Sequence, residues 1–286
     1  MIQSLYIDNF KAFNDFHIEM KPLTVLIGAN ASGKTSILQA LDLIANFAQM
    51  DIDAYLEKRK WKPSELKSKG SKKFNMTFRL QLELEVDQSS KLIEWEFVLN
   101  NAKEKISVVS EKIVDKTIQK TLLSVQSNGI SRFNFQEHSE EKFPALNMKS
   151  SFLKNIDVKD KEKFPELVAL IDFLTASDSF ELLSPEKMRQ TSRGDVDTIG
   201  MGGEKLAAFI HRLQPEQREN VSERLQRYVP FVDEVDAEVK GRPGWLEIKV
   251  SERFPSEEKN VVISPAHVSD GTLRMLAIAA LIEIDC

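Results

Sequence analysis

The feature that most constrains this chain is the stretch 23–41, which reads LTVLIGANASGKTSILQAL. Gly28, Gly33, Lys34 and Thr35 in it fit the spacing G-x-x-x-x-G-K-[ST]. In such a loop the backbone N–H groups surround phosphates, the lysine reaches the β- and γ-phosphates, and the hydroxyl binds Mg²⁺. Glycine permits the positive φ and the close backbone approach that this arrangement needs. The stretch therefore predicts a phosphate-binding loop that leads into a helix.

The residues on either side of the loop support this interpretation. The run 23–27 is apolar and short, which predicts a buried strand. After the loop, apolar residues recur at helical spacing, namely Ile37, Leu41, Ile44 and Ala48. A Gly/Ser-rich surface loop is the alternative, and these flanks disfavour it.

Composition narrows the class of protein. A chain of 286 residues that is 42% hydrophobic can bury a core in one domain or two. It has no apolar run long enough for a membrane span and no secretory leader pattern, so we expect a cytoplasmic protein. The single cysteine, Cys286, excludes an internal disulfide framework and a cysteine-based metal cluster. The histidines show no metal-ligand spacing, which favours structural or exposed positions for His17, His138, His211 and His267.

One segment concentrates positive charge, although the net charge of the chain is −5. Between Lys58 and Lys73 there are eight lysine or arginine residues and one acidic residue, Glu65. This segment could follow the phosphate backbone of DNA, and Trp61 could stack on a base. The alternative is a solvated, partly disordered loop, which the pattern favours slightly.

Changes in periodicity divide the chain into five predicted segments. Strict alternation of apolar and polar residues from Phe74 predicts antiparallel strands, with Asn128-Gly129 as a hairpin turn. Helical spacing predicts a helix over 164–176, and the last 18 residues, 269–286, fit an amphipathic helix. The five segments are 1–52 (P-loop core), 53–73 (basic loop), 74–135 (antiparallel β lobe), 136–228 (helical insertion) and 229–286 (strands and a final helix).

A second candidate anion site precedes the final helix, in the sequence VSDGTLR. Ser269 and Asp270 suit a helix N-cap, and the N–H groups of the first turn can bind an anion. Together with the P-loop, the pattern Ser269-x-Gly271 resembles the signature of ABC-type ATPases. The chain thus resembles the ATPases of the RecF, SMC and OLD group, in particular single-chain AAA family ATPases. The resemblance covers most of the chain and includes the opening IQSLYIDNFKAF.

This resemblance implies an α/β fold. The expected architecture is a P-loop NTPase of the ABC ATPase head type, with a mixed sheet, an antiparallel β lobe and a helical insertion. It also implies ATP and Mg²⁺ as ligands, with Lys34 as a catalytic residue and Thr35 as the metal ligand. The loop residues that would hold the nucleotide are Gly28, Asn30, Ser32, Gly33, Lys34, Thr35 and Ser36. Ala31 stands where a glycine is usual, a mild departure from the pattern.

Other residues receive roles through the same resemblance. Lys11 would contact the phosphates of its own chain, while an exposed turn lysine is an equal alternative. Ser269 and Gly271 would bind the γ-phosphate held by a second copy of the chain. Gln190, in a Q-loop-like segment that follows a predicted strand at 180–183, is the candidate for the glutamine that senses Mg²⁺ and the attacking water. Its neighbours Arg189 and Arg193 are candidate phosphate or partner contacts.

One part of an ABC head is not found in the sequence. Such heads need a strand that ends in Asp-Glu, where the aspartate holds Mg²⁺ and the glutamate polarises water. Asp285 is the only late candidate, and its surroundings continue a helical pattern. We therefore expect a fragment of a longer ATPase or, as the second alternative, one half of a split head. Either one would bind ATP weakly and hydrolyse it slowly on its own.

The resemblance implies a head that acts in DNA repair or anti-phage defence through ATP-driven dimerisation. The alternative is a regulatory or scaffolding subunit that holds a separate nuclease or toxin effector. A transporter ATPase fits less well, because the signature reads S-D-G-T and the antiparallel insertion is long. A small-molecule kinase would explain the P-loop but not the Ser-x-Gly pattern.

Overall fold

A computed structural model describes residues 1–102, 105–177, 184–241, 243–254 and 260–283. The chain separates into two compact units, Met1–Ser179 and Phe180–Cys286. The predicted strand at 180–183 and Asp285 lie outside the described residues. In the described part of the chain, no helix is both long and apolar enough to cross a bilayer.

The first unit is built on an eight-stranded sheet with the strand order β2-β1-β3-β4-β5-β6-β7-β8. Each neighbouring pair of these strands is antiparallel. The strands are β1 (Ile2–Asp8), β2 (Phe16–Glu19), β3 (Asn75–Val86), β4 (Ser89–Ala102), β5 (Lys105–Asp115), β6 (Lys120–Gln126), β7 (Gly129–Asn134) and β8 (Ser139–Phe143).

The centre of this sheet follows from the alternating pattern in the sequence. β3 and β4 pair in continuous register from Asn75 opposite Asn100 to Val86 opposite Ser89. The alternating apolar side chains of β3, and those of β4 from Ile93 to Leu99 at every second position, lie on one face and are buried, as period two requires. Phe97 stacks on Phe78, with ring centroids 5.1 Å apart. The predicted antiparallel strands and the hairpin turn before β7 are confirmed.

Three helices complete the first unit. They are α1 (Lys34–Phe47), α2 (Ile52–Arg59) and α3 (Pro165–Thr175). α1 covers the buried face of the sheet, where Phe47 stacks on Phe97 with ring centroids 4.4 Å apart. The helix predicted over 164–176 is confirmed by α3.

Two expectations about the sheet need correction. β8 lies in the segment 136–228 that was predicted as a helical insertion. Its sequence, SEEKF, is charged and lacks a strong apolar alternation, so the strand depends on pairing with β7. The β lobe is also not separate from the N-terminal strands, because β1 pairs directly with β3.

Only the start of the basic segment is helical. α2 occupies 52–59, and a 3₁₀ turn follows at Pro63–Glu65. Ile52, Tyr55 and Leu56 are buried, which anchors α2 on the rest of the unit. The helix α2 was not predicted, because its buried apolar residues are interspersed among charges, whereas 60–73 contains no regular element beyond the 3₁₀ turn.

The predicted buried strand at 23–27 is also wrong. These residues are in no strand, and the side chains of Leu23, Val25 and Ile27 are 82%, 71% and 92% exposed. A strand forms when its backbone groups pair with a neighbour and its apolar face is covered. Among the described residues no strand pairs with this run.

The second unit contains a three-stranded antiparallel sheet with the order β11-β10-β9. α6 packs on β9, α5 packs on β9 and β10, and α6 also contacts α7. The predicted strands are confirmed, and the final helix ends at Leu281 rather than at the chain end. The elements are α4 (Pro185–Met188), α5 (Leu206–Arg212), α6 (Pro215–Gln226), β9 (Val232–Val239), β10 (Leu246–Glu252), β11 (Val261–Ile263) and α7 (Asp270–Leu281).

Candidate nucleotide-binding site

The P-loop ends where α1 begins, at Lys34. The lysine side chain turns back over its own loop, and Nζ donates hydrogen bonds of 2.7 Å to the carbonyl oxygens of Gly28 and Ala29. The ammonium group is therefore fixed at the mouth of the loop, beside the first turn of a helix whose N-terminal N–H groups favour anions.

The two motif glycines are required by different contacts. Gly33 has φ of 97°, and a Cβ added there would lie 3.1 Å from the ring of Phe13. A Cβ added at Gly28 would lie 2.8 Å from Oγ of Ser32. Both glycines thus keep the loop in a shape that a larger residue would disturb.

The polar side chains of the loop remain accessible. Asn30, Ser32 and Thr35 are exposed and Ser36 is half-buried. Mg²⁺ is commonly held by few protein ligands together with water and substrate phosphates, and the exposed hydroxyl of Thr35 at the helix start fits that role. In the described ranges no group of three His, Cys, Asp or Glu side chains could hold a metal.

Ala31 adopts an unusual backbone conformation. Its φ is 63°, in the left-handed region that glycine occupies without cost. Alanine in place of the usual glycine was predicted to be a mild departure from the loop pattern. The structure shows that the alanine carries backbone strain within the loop.

Lys11 lies in the turn between β1 and β2, where it also has a positive φ of 50°. Its Nζ donates a 2.5 Å hydrogen bond to Oε1 of Gln39 on α1 and lies 3.4 Å from the ring centroid of Trp61. Lys11 is thus not simply an exposed turn lysine. Its charge is held against α1, further along the helix than Lys34.

A buried polar group joins α1 to α2, which the sequence reading missed. Asp42 accepts a 2.6 Å hydrogen bond from the hydroxyl of Tyr55 and a 2.9 Å hydrogen bond from Nε of Arg59. Burial, followed by the contact with Asp42, raises the pKa of Tyr55, so this hydroxyl remains a donor. The available signal was Asp42 itself, a charged residue within the apolar pattern of α1.

The signature residues lie in the second unit, at the start of α7. Ser269 is the N-cap, and its Oγ accepts a 3.1 Å hydrogen bond from the N–H of Thr272. Gly271 is exposed, and the nearest atom to an added Cβ would be Oγ of Ser269 at 3.8 Å. Packing within the described chain therefore does not require glycine at 271, which leaves close approach of an outside group as a reason for it.

Arg189 has a structural role at this helix start. It donates hydrogen bonds to the carbonyl oxygens of Pro265 and Val268 and a 2.6 Å hydrogen bond to Oδ1 of Asp270. Gln190 next to it is exposed, and the guanidinium of Arg193 lies 5.0 Å from the ring centroid of Trp245. Gln190, Ser269 and Gly271 thus belong to the second unit, whereas the P-loop belongs to the first.

The loop geometry and the element order define a P-loop ATPase head. Residues 1–269 match the family described as AAA ATPase domain. The chain therefore belongs to the AAA ATPase domain family.

The chain is also similar to individual known proteins. A segment of 44 residues is 41% identical to the OLD nuclease of Thermus scotoductus, and it spans 15% of this chain and 8% of that protein. The solved Smc head bound to the C-winged helix domain of ScpA is 14% identical and matches with a TM-score of 0.53, over 99% of this chain and 76% of that chain. The Smc head from Pyrococcus furiosus, with an extended coiled coil, is 13% identical with a TM-score of 0.44, over 99% of this chain and 78% of that chain. The likeness to the first Smc head confirms the predicted α/β head fold.

Proposed function

We propose that this chain is an ATP-binding head that works by ATP-driven dimerisation and acts on DNA, in repair or in defence against phage. The observation that carries the proposal is the P-loop, in which Lys34 is held across the loop mouth by the carbonyl oxygens of Gly28 and Ala29. Phosphate oxygens are stronger partners for an ammonium group than amide carbonyls, because charge-assisted hydrogen bonds are stronger than neutral ones. A bound triphosphate takes over this lysine, and Thr35 binds the accompanying Mg²⁺.

The proposed dimer forms through the exposed start of α7. In the proposed dimer the signature of one copy, Ser269 and Gly271, closes over the nucleotide in the P-loop of the other. The exposed backbone at Gly271 supports this role, because nothing within the described chain accounts for a glycine there. Gln190 is proposed to orient the attacking water in the same assembly.

A complementation experiment tests both halves of the proposal. Lys34→Ala removes the phosphate contact in one copy, and we expect ATP affinity to fall by about 10- to 100-fold. Ser269→Arg blocks the signature but leaves the P-loop intact. Neither variant alone should dimerise with Mg²⁺–ATP in analytical ultracentrifugation. An equimolar mixture should dimerise in part, because one of its two composite sites is intact.

The control is Lys142→Ala, which removes an exposed lysine on β8. This variant should bind ATP and dimerise as the wild type does. A wild-type chain that binds ATP but stays monomeric contradicts the dimer, whereas unchanged ATP binding by Lys34→Ala contradicts the P-loop assignment itself.

The proposed DNA contact uses the basic segment. Six of its lysines are exposed. Lys73 pairs with Asp8 at 2.7 Å, and the other five are Lys58, Lys60, Lys62, Lys69 and Lys72. Lysines within one short segment can contact neighbouring phosphates, and each such contact adds about 0.9 to the slope of log affinity against log salt concentration. Neutralising these five to glutamine should weaken binding of a DNA duplex and reduce that slope.

The matched control neutralises five exposed lysines elsewhere in the first unit: Lys105, Lys112, Lys142, Lys159 and Lys161. Both variants change the net charge equally, so a loss confined to the first set supports a local interface. Equal losses would indicate a general charge effect. Absence of DNA binding by the wild type, together with a stable nuclease or toxin partner, would favour the scaffolding alternative.

A further inference from the structure

Trp61 forms an aromatic surface that contacts Lys11 in the first unit. It is half-buried, and Tyr55 packs edge-on to it with ring centroids 5.9 Å apart. The guanidinium of Arg59 lies 5.3 Å from the Trp61 ring centroid, and Nζ of Lys11 lies 3.4 Å from it. The indole ring is therefore held in place from within the fold, and the Lys11 ammonium group covers one face.

The position of Trp61 relative to the P-loop follows from a short series of contacts. Lys11 N–H donates a 2.7 Å hydrogen bond to the carbonyl oxygen of Leu66, which joins its turn to the end of the basic segment. Two residues further on, the ring of Phe13 packs against Gly33 at the start of α1. Trp61, Lys11 and the phosphate loop are thus parts of one packed region of the first unit.

We propose that Trp61 is the stacking platform for the base of the bound nucleotide, and that Lys11 moves from the indole face to the phosphates when the nucleotide binds. This inference rests on the proposed nucleotide-binding function. It adds a base subsite and explains why a lysine expected to contact phosphate is found on an aromatic ring.

Phosphate oxygens form stronger, charge-assisted hydrogen bonds with the Lys11 ammonium group than the neutral amide of Gln39 does. The uncovered indole face then accepts the base, and aromatic side chains bind bases through stacking without regard to base identity. Tyr55 keeps the platform rigid because its hydroxyl is fixed by Asp42.

The test compares a nucleotide with a ligand that has phosphates but no base. Binding of Mg²⁺–ATP and of inorganic tripolyphosphate is measured by calorimetry for the wild type, Trp61→Leu and Trp61→Phe. We expect Trp61→Leu to weaken ATP binding by about 5- to 100-fold. Tripolyphosphate binding should stay within about twofold of the wild type, because that ligand makes no stacking contact. Trp61→Phe keeps an aromatic face and should recover most of the ATP affinity.

The control is Trp245→Leu in the second unit, where the tryptophan lies against Arg193 rather than Lys11. It should leave both affinities unchanged. A second readout does not depend on the leucine variant folding well. The tryptophan fluorescence of the wild type should change with ATP but not with tripolyphosphate, and this difference should be lost in Trp61→Phe.

Other outcomes overturn the inference. Equal loss of ATP and tripolyphosphate binding would show that Trp61 acts through Lys11 or through the fold. Unchanged ATP binding in Trp61→Leu would remove any role in the subsite. An effect on single-stranded oligonucleotide binding alone would assign the ring to nucleic acid instead. A wild type that binds neither ligand would overturn the proposed function together with this inference. A wild type that binds both ligands leaves the proposed function standing, and the Trp61 variants then test the inference alone.

Discussion

Two apolar stretches of the first unit differ in burial. The strands β3 and β4 bury their alternating apolar residues completely, whereas the equally apolar run 23–27 lies exposed. The difference lies in where each finds its partners. β3 meets β4 across a turn of two residues, Asp87 and Gln88, so pairing and burial are satisfied locally. The run 23–27 precedes a loop and a helix and has no such neighbour among the described strands.

The comparison teaches that apolar character alone does not produce a strand. An isolated extended segment leaves its N–H and C=O groups to water and gains little from side chains that remain exposed. The phosphate loop keeps its form without a flanking strand because its shape depends on Gly33, on the packing of Phe13 and on the hydrogen bonds of Lys34.

The largest expected effect separates these two stretches directly. Leu82→Ala removes a fully buried side chain from β3 and should lower the free energy of unfolding by about 2–5 kcal/mol. Leu23→Ala makes the same chemical change at a side chain that is 82% exposed, and should change stability by no more than about 0.5 kcal/mol. Urea unfolding of the two variants measures both values. A large loss for Leu23→Ala would mean that the run is covered in solution.

The second effect concerns a carboxyl group buried within the strand region. Burial raises the pKa of Glu111 on β5 to about 7, although Ser151, the N–H of Phe152 and the indole N–H of Trp95 all donate hydrogen bonds to its carboxyl group. The folded state therefore holds this proton over a pH range in which the unfolded chain releases it. The contribution of Glu111 to the free energy of unfolding is fully present below about pH 4.5. It decreases by about 3 kcal/mol in total as the pH rises through 7.

Glu111→Gln should remove this part of the pH dependence. Between pH 5 and 8 the free energy of unfolding of the variant should therefore rise relative to that of the wild type by about the same amount. Unfolding curves at several pH values measure the difference. The matched control is Glu85→Gln at an exposed position on β3, which should follow the wild-type curve. A parallel pH profile for Glu111→Gln would show that the carboxyl group is not held protonated.

The smallest effect lies in the phosphate loop. Ala31 has a φ of 63°, which costs an alanine about 1–2 kcal/mol, and glycine relieves that cost at the expense of greater freedom in the unfolded chain. Ala31→Gly should therefore stabilise the protein by about 0.5–1 kcal/mol. Ala169→Gly, within α3, should have the opposite sign and cost about 1 kcal/mol. Thermal unfolding of both variants checks the signs, and a destabilised Ala31→Gly would contradict the strain.

Much of the fold could be predicted from sequence because its pairings are local. The alternation of β3 and β4, the turn before β7, and the helices α1 and α3 follow from periodicity and turn residues over short stretches. β8 could not be predicted in this way, because a charged strand takes its conformation from the neighbour it pairs with. The helix α2 was missed for a related reason, since its three buried residues are dispersed among charges.

The features of the candidate site also differ in whether local sequence is enough to predict them. The sequence by itself determined the phosphate loop, the helix after it and the N-cap at Ser269, because each is encoded by a few consecutive residues with fixed backbone roles. Only the tertiary structure decided that Lys11 rests on Trp61 and Gln39, that Asp42 joins α1 to α2, and that the run 23–27 is exposed. These contacts join residues distant in sequence, and their formation depends on the packing of the whole unit rather than on local propensity.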